Sequence, residues 1–178
     1  MSADKDVRFA PAWLPDSKNL LLTEREKDGG ERIYMQSIGS AAPRAITPEG
    51  YGSAVIHAFS PDGKSFIARR TSDRACVLLP IAGAPSRPIT GALADDLPLR
   101  WTPDGRAIYV FQSGSSSVPG KIFRLELATG KRALVKELAP EDRAGAVGVN
   151  HAAISEDGKT IVFSHPRGIS NLYLVMVH

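Results

Sequence analysis

Apolar residues along the chain come in short runs separated by polar turns, and one such unit recurs four times. Without gaps, Trp13–Leu22, Phe59–Ala68, Trp101–Val110 and Ile154–Phe163 align on Asp16, Asp62, Asp104 and Asp157, which lie 46, 42 and 53 residues apart. Each copy has a large apolar residue three before the Asp, a basic residue two after it, and three apolar residues four to six after it. In Ser60-Pro61-Asp62-Gly63 the proline presets φ for a type I turn, Asp tolerates the second central position, and Gly takes the left-handed conformation that closes a hairpin. Gly105 and Gly158 repeat that Gly, whereas copy one has Ser17 there and copy four has Glu156 in place of Pro, so those two turns are expected to be less rigid. The continuous triplets, such as Phe66-Ile67-Ala68 and Ile108-Tyr109-Val110, suit strands buried on both faces.

A second set of apolar runs follows: 32–38, 76–81, 122–127 and 172–177. Three of these precede a further short segment (43–47, 85–90 and 131–135), whose prolines in the first two suit an outer strand. One repeat therefore reads as inner strand, second strand, third strand and edge strand. The stretch around 134–143 has helix-like composition, but Pro140 interrupts it. Four-stranded antiparallel units at a period of 40–50 residues are propeller blades. The expected fold is all-β: a β-propeller of about four blades, approximately 7–47, 54–90, 97–138 and 147–178, in a single segment. Because the fourth blade has no edge segment after its third run, the chain is expected to be a partial or open piece of a larger propeller, with self-association through the unfinished blade as an option.

Composition narrows the class. The chain has 178 residues, 43% hydrophobic and 23% charged, enough to bury a core and neither disordered nor fibrous. Its one cysteine, Cys76, excludes an internal disulfide, and its place beside Val77 and Leu78 suits a small buried hydrophobe. The net charge of +3 is spread evenly: 12 basic and 10 acidic residues in 1–89, 10 and 9 in 90–178. Nucleic-acid binding needs a concentrated basic stripe, so no nucleic-acid partner is expected. No apolar run reaches the roughly 18–20 residues of a membrane-spanning helix, and Asp4 and Asp6 replace the apolar stretch of a signal peptide.

The motif Trp/Phe-Ser/Thr-Pro-Asp-Gly-Lys/Arg followed by three apolar residues resembles the WD40-like, TolB-type bacterial propeller repeat. It lacks the Gly-His and Trp-Asp pairs of true WD40 repeats. The arrangement of Pro48–Tyr51, Asp95–Trp101 and Asn171–Val175 also resembles the C-terminal propeller part of bacterial transmembrane Ser/Thr kinases. That resemblance implies a sensor portion with an extracytoplasmic location. Similar propellers also gate prolyl oligopeptidase-like serine peptidases, the competing reading.

No catalytic constellation emerges. A Gly-x-Ser-x-Gly elbow and the kinase motifs are missing, and Ser113–Ser117 precedes no helix. The acid pairs Asp95-Asp96, Glu141-Asp142 and Glu156-Asp157 are sequence neighbours that need not converge on a substrate. No cofactor or metal is expected; His57 and His151 belong to non-adjacent blades and lack a third ligand. His57, Arg100 and His151 fall on inner strands and are the candidate channel-lining residues for a protein or peptide ligand. Trp13, Phe59 and Trp101 hold identical repeat positions, which suits wedges between blades. The expected function is a non-catalytic recognition or scaffold module.

Overall fold

The computed structural model describes residues 6–7, 12–25, 30–52, 59–83, 85–114, 119–142 and 144–168. The predicted strand 172–177 and His57 lie outside the described residues. Among these there are strands, turns and irregular segments and no helix, hence none long and apolar enough to cross a membrane.

Four antiparallel sheets follow one another along the chain. In the first, β1 (Asp6–Val7) and β2 (Ala12–Trp13) both pair with β3 (Asn19–Arg25), which pairs with β4 (Glu31–Ser37), then β5 (Arg44–Ala45). The second runs β6 (Tyr51–Gly52), β7 (Ser65–Arg70), β8 (Cys76–Pro80), β9 (Arg87–Pro88). The third runs β10 (Leu97–Trp101), β11 (Ala107–Gln112), β12 (Gly120–Glu126), β13 (Arg132–Leu138). In the fourth, β14 (His151–Ile154) pairs with β15 (Ile161–Ser164). The first half of the helix-like stretch 134–143 is thus strand, because β13 completes a ladder with β12. Pro88 sits on an outer strand, where its missing N–H breaks no ladder. On the outer strand β13 a bulge at Val135 interrupts the register and blunts an otherwise long edge.

Strand alternation divides each repeat's apolar triplet between two faces. The middle residue, five after the Asp, points toward the following sheet. Leu21 packs with Ile33 and Met35 against the second sheet, and Tyr109 joins Phe111 in a cluster with Ile161 and Phe163 of the fourth. The flanking residues Phe66, Ala68, Ile108 and Val110 are buried on the opposite face. Leu21 and Ile67 are each only 1% exposed. One apolar cluster consequently runs through sheets one to three, and a smaller one joins three to four. Cys76 belongs to the first; burial pushes its thiol up to about 11, so it behaves as a hydrophobe.

A charged clamp ties the segment that links the second sheet to the third onto the outer strand β13. Asp96, 0% exposed, accepts two hydrogen bonds from the Arg132 guanidinium, at 2.5 and 3.0 Å, and a third from the Leu93 N–H at 2.8 Å. Arg132 also donates to the Gly91 carbonyl at 3.0 Å and stacks 4.5 Å from the centre of the Phe123 ring. Removing the cation leaves a buried, unpaired carboxylate. Arg132→Ala should therefore destabilise the chain by about 3 kcal/mol, the lower end for breaking a buried pair, as read from urea unfolding.

Candidate functional site

Three of the four repeat turns share a hydrogen-bond bracket. In the second, the Gly63 N–H donates to the Ser60 carbonyl at 2.8 Å and the Lys64 N–H to Asp62 Oδ1 at 3.0 Å. Ser60 Oγ donates to Asp62 Oδ1 at 2.5 Å and accepts from the Ser65 N–H at 3.0 Å. Thr102 with Asp104, and Ser155 with Asp157, repeat these contacts to within 0.2 Å. The hydroxyl two residues before each Asp is a working part of the turn, one that reading the Pro-Asp-Gly signal alone overlooks. The fourth turn closes with the same bonds although Glu156 replaces proline.

Copy one lacks both the hydroxyl and the glycine. Leu14 stands where the others carry Ser or Thr, and Asp16 compensates by accepting from the N–H groups of Lys18 and Asn19 at 2.8 and 3.0 Å, and from Asn19 Nδ2 at 2.6 Å. Ser17 takes a left-handed φ of 54°, in the region that Gly63, Gly105 and Gly158 occupy at 67°, 67° and 71° in the other turns.

Successive turns are neighbours in space. A methyl group added to Gly63 would touch Pro15 at 3.9 Å, and one on Gly105 would touch Pro61 at 3.7 Å. On Gly158 it would strike Tyr109 Oη at 2.6 Å. Between the turns lies an open groove of about 280 Å³. Its apolar walls are Trp13 and Pro15 from the first turn, Phe59 and Pro61 from the second, and Trp101 and Pro103 from the third. Its charges are Arg100 and Glu156.

Both charges are departures from the repeat. The residue four before the Asp is Ala12, Ala58, Arg100 and Ala153; the residue one before it is Pro15, Pro61, Pro103 and Glu156. A comparison of the copies column by column would have singled out both positions. The three aromatic residues occupy unequal environments. Trp101 is 6% exposed, Phe59 is partly buried 6.2 Å from Phe66, and Trp13 is 54% exposed. His151 does not line the groove; it lies at the start of β14, exposed and opposite Ser164. Among the described residues no three His, Cys, Asp or Glu side chains stand close enough to hold a metal ion.

Solved structures share this arrangement. TolB from Acinetobacter baumannii superposes with a TM-score of 0.64 at 26% identity, over 92% of this chain and 39% of its own. The fold is that of a TolB-type β-propeller. The chain is also similar to an oligogalacturonate lyase from Vibrio parahaemolyticus (TM-score 0.65, 14% identity, 90% of this chain and 47% of the lyase). The β-propeller domain of the Trilobed protease from Pyrococcus furiosus gives 0.57 and 15%, over 96% of this chain and 52% of the domain. The chain thus spans from two-fifths to about half the length of these structures. Neither a protein-family model nor a curated protein sequence matches it.

Two outcomes follow from the turns. Ser17→Gly removes left-handed strain at an exposed position and should stabilise the chain by about 0.5–1 kcal/mol, read as a rise in Tm. Hydrogen bonds from the Ser or Thr hydroxyl and then the backbone N–H hold Asp62, Asp104 and Asp157 below the ordinary carboxylate value of 3.8; for Asp16 the Lys18 N–H leads. A carboxylate depressed in the folded state stabilises above its unfolded value and loses that contribution as pH falls through its folded one. Urea-unfolding free energy should hold from about pH 7 to 5 and fall below about pH 4, with a shallower acid limb in Asp104→Asn.

Proposed function

We propose that the chain is a non-catalytic recognition propeller that binds an extended protein or peptide segment across the groove between the repeat turns. The observation that carries this reading is the placement of Arg100 and Glu156. The two repeat-breaking charges both enter one groove whose other walls are aromatic rings and prolines. Such a lining offers flat apolar contact with one cation and one carboxylate to fix a segment's direction and register. The groove is open, at 280 Å³ slightly below the size of a typical enclosed small-molecule site, which favours an extended chain that covers the surface. A single carboxylate in the groove also favours binding over two-carboxylate hydrolysis. Within a receptor of the kind the sequence resembles, this groove would be the sensing face.

A second reading, a gating propeller of a serine peptidase, is favoured by the similarity to the Trilobed protease propeller. The two differ in what they ask of the groove. A recognition site needs affinity, whereas a gate needs only an opening of the right width.

Peptides selected from a displayed random library on the 178-residue chain test the proposal. Trp13 and Trp101 are the chain's only tryptophans, and Trp13 is the more exposed, so groove binding should change fluorescence in the wild type and much less in Trp13→Phe. Arg100→Ala and Glu156→Lys should each weaken binding about tenfold or more, the scale of a lost charge-assisted contact. Affinity unchanged in both variants would move recognition away from this groove and leave the gating reading in the stronger position.

A further inference from the structure

We propose that the exposed face of the fourth sheet is a sheet-to-sheet docking surface, and that its occupant is a second copy of this chain. Repeat position marks this surface, independently of the groove. Five residues after the repeat Asp stand Leu21, Ile67, Tyr109 and Val162. The first two are buried against the next sheet, and Tyr109 reaches the turn of the fourth. Val162 occupies the same position in its own sheet, yet it is 66% exposed. Strand alternation places Ala153, directly opposite in the ladder, and His151 on the same face, and both are exposed.

Three successive sheet-to-sheet contacts are built with this one residue facing forward. The fourth sheet presents the same forward face, with no described sheet upon it. What fits that face is what fits the other three: a sheet offering the apolar residues four and six after its own Asp. The first sheet carries such a pair, Leu20 and Leu22, both partly exposed. The fourth face of one copy and the first sheet of another are thus related as consecutive blades. A contact of this head-to-tail kind closes with two copies if the rotation allows and otherwise grows into longer assemblies. Two copies supply eight sheets, within the range of about four to eight blades that propellers use.

Light scattering coupled to size exclusion, run on the complete chain over a dilution series, decides the matter. The expected mass is twice 19.1 kDa, or a higher multiple at high concentration. Val162→Asp places a charge on the docking face and should weaken self-association about tenfold or more, as burying an unpaired carboxylate requires. Val135→Asp, on the bulged outer strand of the third sheet, should leave the mass unchanged. A far-ultraviolet circular dichroism spectrum of Val162→Asp that matches the wild type shows that the fold survives, as the exposure of the side chain requires. A wild-type chain that stays at 19.1 kDa at every concentration, or a Val162→Asp variant that assembles as the wild type does, overturns the proposal.

Discussion

Each sheet begins from a carboxylate that stands in for missing backbone partners. An Asp at the tip of the inner hairpin accepts a backbone N–H and, in three repeats, a hydroxyl that itself bridges the two strands. That bracket fixes where the chain reverses, and therefore which residue of the next strand faces forward. A one-residue slip would turn the middle apolar side chain away from the following sheet and break the apolar cluster in two. Sheet stacking, the shared core and the groove all inherit this register.

Function, in this account, enters where the repeat is broken. Once the turns are locked by three or four hydrogen bonds, the proline before the Asp is dispensable. The fourth turn shows this by closing with Glu156 in that position. The same tolerance allows Arg100 where the other repeats keep alanine. The scaffold stays constant while individual positions at its tip are free to carry charge, which is how one architecture supports unrelated sites.

The strands and turns were legible because their signals are local. Ser60-Pro61-Asp62-Gly63 and the apolar triplet after it state the hairpin within ten residues, and the three expected edge segments each overlap a described strand. The hydroxyl bracket was equally visible as Ser60, Thr102 and Ser155, but the Pro-Asp-Gly turn already explained the segment without it. The Asp96–Arg132 clamp was hidden for a different reason. Its partners lie 36 residues apart, each beside a like-charged neighbour, Asp95 and Lys131, so both read as solvated pairs. Trp13, Phe59 and Trp101 hold equal sequence positions but not equal surroundings. Trp13 is half exposed beside the groove, because burial depends on the neighbouring sheet as well as on the residue. Val162 makes the same point from the other side: an apolar triplet is buried on both faces only when a sheet lies on each.

Amide hydrogen exchange, resolved by residue, tests the register constraint most directly. The N–H groups of Ser65, Ala107 and Thr160 sit at the start of or just before a strand and are held by side-chain hydroxyls. The account predicts protection at these three close to that of the central strand amides, Phe66, Ile108 and Ile122, since opening the bracket opens the hairpin. Exchange there at the rate of an unstructured peptide, while the central strands stay protected, would contradict it: the sheets would then hold their register without the turns.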